Sequence, residues 1–202
     1  MNSVPESFKR LIVGISGASG IVYGIEALKQ LRLLGIETHL VVSKSAILTL
    51  THETDMKYAE LCALADVHYQ NTDIGAAIAS GSFRTLGMLV APCSIRSLSE
   101  IATGVTSSLL SRAADVVLKE RRRLVLMVRE SPLHAGHLQS MLNVTNMGAV
   151  IVPPVPAFYT RPQTVQDLVR QSIGRALDLF GLDSGIIRWG EEIINHPDEA
   201  AE

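Results

Sequence analysis

The stretch Leu11-Ile12-Val13-Gly14-Ile15-Ser16-Gly17-Ala18-Ser19-Gly20 constrains the start of the chain more than any other segment. An apolar run of strand length gives way to small residues, and helical spacing follows from Ile21 to Leu34. That order predicts a first β-strand, a tight glycine-rich turn and the first helix of an α/β domain. Such a turn brings the backbone close to a phosphate and aims N–H groups at it. The glycines at 14, 17 and 20 do not fit the dinucleotide fingerprint G-x-G-x-x-G, and no Gly-Lys-Ser/Thr completes a Walker A loop. A phosphate site of another kind is expected; a merely tight strand-to-helix turn is the alternative.

Further apolar runs at Ile36–Val42, Met88–Pro92, Leu124–Val128 and Gly148–Val152 alternate with helical segments, among them the charged stretch Arg112–Arg123. A last helix is expected over Val165–Phe180, capped by Thr164 and ended by Gly181. Short buried strands separated by longer helical stretches predict a parallel sheet with helices on both faces, joined by right-handed crossovers. A length of 202 residues suits one domain. Apolar residues make up 47% but aromatics only 4%, so the core should be aliphatic. The net charge of −2 implies no nucleic acid or other polyanion partner. Cys62 and Cys93 give no disulfide framework. No targeting sequence or membrane span is read, which makes the cytoplasm the expected location.

In a parallel sheet, ligands collect outside the carboxyl ends of the strands. Polar clusters stand at just those places: Ser16 to Ser19, Ser43-Lys44-Ser45, Cys93-Ser94-Ile95-Arg96-Ser97, Arg129-Glu130-Ser131, and Phe158 to Arg161. Ser43 suits a helix cap, which is compatible with an anion contact. Ser94 and Ser97 suit a flat polar heterocycle. Cys93 invites a nucleophile reading, but a lone cysteine is more often a small buried hydrophobe. Arg112 and Lys119, seven apart, share a helix face and could hold an anion; Arg121 to Arg123 suit surface charge. Arg129-Glu130 beyond a buried strand must reach solvent or serve the cleft. His134 and His137 make only a weak zinc signal, and no metal site is expected. Val152 to Tyr159 reads as a rigid proline-braced loop, either holding Phe158 and Tyr159 as a pocket wall or docking between subunits.

Together these stretches resemble the flavin prenyltransferases of the UbiX/Pad family, formerly described as aromatic acid decarboxylase small subunits. The likeness runs from about residue 10 to 182. It rests on Arg10 to Gly20 with Tyr23-Gly24, Glu37 to Lys44, Ser80 to Thr85, Ala91-Pro92-Cys93-Ser94, Ser111 to Arg122, Val128 to Leu133, and Met147 to Tyr159. The resemblance implies a flavodoxin-like Rossmann fold over residues 10–182, between an N-terminal extension (1–9) and a C-terminal tail (183–202). It also implies transfer of a dimethylallyl group from dimethylallyl phosphate to N5 and C6 of reduced FMN, without metal, in a dodecamer. The prenylated FMN would then pass to a UbiD-type decarboxylase. FMN contacts would come from Gly17, Ala18, Ser19, Ser43, Ser94, Ile95, Arg96, Ser97 and Arg129. Prenyl phosphate would meet Arg112, Lys119, Glu130, Tyr159 and Arg175, and Ser19, Glu53, Lys119 and Glu130 would be catalytic. Arg96-Ser97 departs from the usual Lys-Thr, Ser107-Ser108 from Asp or Ala followed by Gly or Asn, and Ile74 from an aromatic residue. Direct FMN-dependent decarboxylation of a small acid is the alternative function.

Overall fold

The computed structural model describes residues 9–190. Nearly all of the expected N-terminal extension, and the tail beyond residue 190, lie outside the described residues. Six strands form one sheet: β1 (Arg10–Ile15), β2 (Glu37–Val42), β3 (Val67–Gln70), β4 (Gly87–Cys93), β5 (Arg123–Val128) and β6 (Val150–Ile151). Every neighbouring pair is parallel, in the order β3-β2-β1-β4-β5-β6. The helices are α1 (Ile21–Leu33), α2 (Lys44–Glu53), α3 (Tyr58–Cys62), α4 (Ile95–Thr103), α5 (Leu109–Lys119), α6 (Ala135–Asn146) and α7 (Val165–Asp178).

The two-residue period of the strands sorts side chains into two cores. Leu11, Val13 and Ile15 of β1, with Leu89 and Ala91 of β4, meet α1 and α7 on one face. Ile12 of β1, with Met88 and Val90 of β4, meets Leu98 and Ile101 of α4 and Leu110, Ala113 and Val117 of α5 on the other. Burial on both faces explains why these strands read as continuous apolar runs. Helix α1 lies very close to the sheet: a Cβ on Gly24 would fall 2.6 Å from the Ala91 carbonyl oxygen.

The five strands expected from apolar runs are all present, and their order alone is the flavodoxin-like 2-1-3-4-5. Strand β3 adds a sixth at the edge, where Val67 to Gln70 are mostly exposed and form no apolar run. The charged helix starts earlier and ends sooner than expected. Ser108 caps it before Leu109, and Arg121 takes a left-handed φ of 56°, which puts Arg121 to Arg123 outside it. Thr164 caps α7 as expected, but the helix stops at Asp178 rather than Phe180.

The buried His39 lies away from the carboxyl edge. The His39 ring stacks on Tyr69 and meets the edge of Phe83. Its Nδ1 and Nε2 lie 2.9 Å from the Tyr69 hydroxyl and from Glu37 Oε1. Burial pushes its pKa below the usual 6.5, outweighing the pull of Glu37. With the folded pKa depressed, the unfolded chain binds the proton more readily. Stability is therefore complete above about pH 6.5 and is lost as the pH falls through and below that value. The urea midpoint should hold level above about pH 7 and decline toward about pH 5, more shallowly in His39→Gln. Equal slopes for parent and variant would remove His39 as the cause.

Candidate functional site

The strand order reverses between β1 and β4, so their carboxyl ends open a crevice. Ser16 fastens its base. The Ser16 amide and hydroxyl donate to the Pro92 carbonyl at 3.1 and 3.0 Å, and the Ser94 amide donates back to Ser16 Oγ at 2.7 Å. Beside this knot lies a cavity of about 420 Å³ whose walls include Ser43, Ser45, Asn71, Ser94, Ser97 and Ser108. Three of these serines are helix caps. Ser43 Oγ accepts from the Ala46 amide, Ser94 Oγ from Ser97 and Ser108 Oγ from Ser111, at 3.2 to 3.3 Å. The N-termini of α2, α4 and α5 thus face one hollow, each with its partial positive charge. At the third, the Asn71 side-chain oxygen already accepts the Leu110 amide at 3.0 Å, which leaves α2 and α4 the freer donors. Lys44 and Arg96 also line the cavity, Arg96 sharing its charge with Glu100 at 3.0 Å.

The glycine-rich turn continues from the cavity wall, because Gly17 packs directly on the Ser45 side chain. Its far end differs from the sequence expectation. The Gly20 and Ile21 amides, the first donors of α1, are taken by the Glu53 carboxylate at 2.8 and 2.9 Å. Gly20 adopts a φ of 98°, a conformation that favours glycine, and so turns its amide toward Glu53. Burial pushes the Glu53 carboxyl up, but the Ser19 hydroxyl, the Ile21 and Gly20 amides and the nearby Arg129 guanidinium outweigh it. The group is held below the ordinary carboxylate range and stays ionised. The anion at this helix start is the chain's own, so the cavity at α2, α4 and α5 is the better place for a phosphate. That donor set, two hydroxyl-capped helix starts beside β1 and a third opposite, fits the phosphate of FMN.

Within one chain, Gly17, Ala18, Ser19, Glu53, Ser43, Ser94, Ile95, Arg96, Ser97 and Arg129 gather at the carboxyl edge of the sheet. Of the remaining residues, Glu130 shares that edge, while Lys119 and Arg175 do not join them. Arg112 sits one turn into α5, bound to Asp115 at 2.7 Å. Lys119 ends α5, about 15 Å further along than its start. It pairs with Glu120 and packs by Gly81, in the loop that leads into β4 at the amino edge. Sharing a helix face therefore does not let Arg112 and Lys119 act as one clamp here. Arg175, near the end of α7, contacts Asp178 at 3.5 Å. Phe180, just past that end, packs at Gly87, the first residue of β4. Glu130 is exposed at the carboxyl edge and accepts from the Ser131 amide at 3.0 Å. Tyr159 leans on the segment 184–190, its hydroxyl donating to the Ile187 carbonyl at 3.2 Å.

Cys93 is fully buried, and burial pushes its thiol up to about 12, so it offers no thiolate at neutral pH. His134 caps α6 through Nδ1, which accepts from the Gly136 amide. No group of three or more potential metal-ligating residues exists among the described residues.

Residues 2–176 match the family described as Flavoprotein. A flavin prenyltransferase UbiX of Neisseria meningitidis serogroup B is 58% identical over 176 residues, spanning 87% of this chain and 93% of that protein. The chain belongs to the UbiX flavin prenyltransferase family. The Escherichia coli K12 flavin prenyltransferase UbiX is likewise 58% identical, over 86% of this chain and 93% of that one. Among solved structures, AnUbiX (PadA1) in complex with FMN and dimethylallyl pyrophosphate matches with a TM-score of 0.89 and 51% identity, covering 90% of this chain and 97% of that one. A dodecameric FMN-dependent UbiX-like decarboxylase from Escherichia coli O157:H7 matches with a TM-score of 0.86 and 48% identity, over 89% and 97%. The FMN-dependent cysteine decarboxylase SpaF, at 15% identity and a TM-score of 0.59, shares the fold alone.

Proposed function

We propose that this chain is a flavin prenyltransferase, transferring a dimethylallyl group from dimethylallyl phosphate to N5 and C6 of reduced FMN. The observation that carries this reading is the 58% identity to UbiX prenyltransferases over nine-tenths of their length. The product would serve a UbiD-type decarboxylase. No helix among the described residues is long and apolar enough to cross a membrane, and we assign the reaction to the cytoplasm.

FMN supplies, in its reduced form, the electron-rich ring positions that accept the prenyl group. The hydroxyls of Ser43, Ser94 and Ser97 and the starts of α2 and α4 would hold its phosphate, with Ile95 and Arg96 in the same loop and Arg129 beside the turn. Gly17 and Ala18 would let the chain run close to the flavin. Glu53 orients the Ser19 hydroxyl, which would fix a donor-acceptor group at the flavin before any substrate arrives. Loss of phosphate from an allylic carbon leaves cationic character, so the site must neutralise the leaving group and exclude water. Arg112, Lys119, Arg175 and the Tyr159 hydroxyl would do the first, and Glu130 would move the proton to the departing phosphate.

Lys119 and Arg175 stand at the opposite edge of the sheet from the serine cavity. We therefore assign them to the site of a neighbouring copy within a dodecamer like that of the Escherichia coli relative. The decarboxylase alternative has no such use for three cationic side chains and a tyrosine.

Anaerobic incubation of the protein with reduced FMN and dimethylallyl phosphate should yield a flavin heavier by one prenyl unit, together with free phosphate. Unchanged flavin mass, with an active prenyltransferase run in parallel, would overturn the proposal. Carbon dioxide release from an acid substrate without any partner enzyme would favour the alternative.

A further inference from the structure

The Ile187 carbonyl receives two donors. Gln171 Nε2 reaches it at 2.7 Å, and the Tyr159 hydroxyl reaches the same oxygen at 3.2 Å. Gln171 is a buried residue of α7, and its Nε2 also lies 3.5 Å from the Tyr159 oxygen. The segment carrying Ile187 is well anchored. Ile186 packs on Gly174, and Arg188 binds Asp178 and Asp183, each at 2.8 Å. Trp189 meets Tyr159 edge to face at 5.4 Å between ring centres. Tyr159 is thus held in place by its ring, whereas its only proton is spent on a carbonyl.

A tyrosine hydroxyl has one proton to donate. To donate to a phosphate oxygen, Tyr159 must first leave the Ile187 carbonyl, and that half-buried carbonyl would lose a partner at some cost. Gln171 removes that cost, because its shorter bond keeps the oxygen paired whichever way the tyrosine turns.

We infer that Gln171 is a positioning residue that frees the Tyr159 hydroxyl to bind the leaving phosphate of the prenyl donor. This rests on the reading of Tyr159 as a phosphate ligand. Without Gln171, the carbonyl keeps the tyrosine's proton and the phosphate loses a partner.

The test is the dissociation constant of dimethylallyl phosphate, measured by calorimetry on the protein loaded with oxidised FMN, alongside KM and kcat with reduced FMN. Gln171→Met keeps the length of the side chain but has no donor. It should weaken dimethylallyl phosphate binding and raise KM by roughly tenfold, with FMN affinity unchanged. Tyr159→Phe should do the same, and the double variant should be no worse than Tyr159→Phe alone. Gln171→Glu, which can donate only when protonated, should bind poorly at neutral pH and regain affinity relative to the parent as the pH falls.

Additive losses in the double variant, or a Gln171→Met variant that binds like the parent while Tyr159→Phe does not, would overturn the role of Gln171 alone. Parent-like binding by Tyr159→Phe would remove Tyr159 as a ligand and this inference with it. Should Gln171→Met fail to fold, the pH response of Gln171→Glu decides: a constant ratio to the parent rejects the inference.

Discussion

Glu53→Gln should lower prenylation turnover by about 100-fold while leaving FMN bound. The carboxylate takes the Gly20 and Ile21 amides and the Ser19 hydroxyl, and every one of these is a donor pointing at it. A glutamine amide keeps the shape but turns an NH2 group toward at least one of those donors, so the Ser19 hydroxyl loses its fixed direction. The charge at the α1 N-terminus goes as well, which should cost about 1 kcal/mol of stability. FMN affinity is expected to survive, because the phosphate donors belong to other helices. Flavin titration and single-turnover rates measure the two separately. Turnover within twofold of the parent would show that the carboxylate matters only as a helix cap.

Mixing two crippled chains should restore activity. Glu53→Gln damages the carboxyl edge of the sheet, and Lys119→Ala removes a cation from the amino edge. Each variant alone should be nearly inactive. If each site draws Glu53 from one subunit and Lys119 from its neighbour, random co-assembly leaves about a quarter of the sites intact. Activity near that fraction of the parent's, appearing only after the two chains are unfolded and reassembled together, is the expected outcome. If both groups served the site from a single chain, every site would carry a defect and activity would stay at the level of the separate variants.

The fold was largely legible because β1, β4 and β5 are buried on both faces and so appear as near-continuous apolar runs, and Leu40-Val41-Val42 marks the second half of β2. Strand β3 was not, since Val67-His68-Tyr69-Gln70 lies at the exposed edge and needs only one partner strand. Ser43 and Ser94 could be marked as site residues because each stands between a strand and a helix, where a cap and an anion contact have the same requirements. Ser108 meets the same requirement, yet no apolar strand precedes it to draw notice. Glu53 could not be found from spacing at all: it meets Gly20 from 33 residues away, and only the packing of α2 beside α1 brings them together. Lys119 and Arg175 carried the right chemistry, but a linear pattern says nothing about which edge of the sheet, or which copy of the chain, a cation will serve.

The Glu53 carboxylate at one end of the crevice and the three serine-capped helix starts at the other give the binding slot a sense of direction. An elongated ligand with a phosphate at one end and an uncharged ring system at the other would find free donors for its phosphate only at the serine end, because the donors at the other end are already taken by Glu53. It would favour threading the slot one way round. On the proposed reading, the ring would reach Ser19 before the prenyl donor has touched the protein, and a flavin lacking the phosphate would lose that guidance and enter in both orientations.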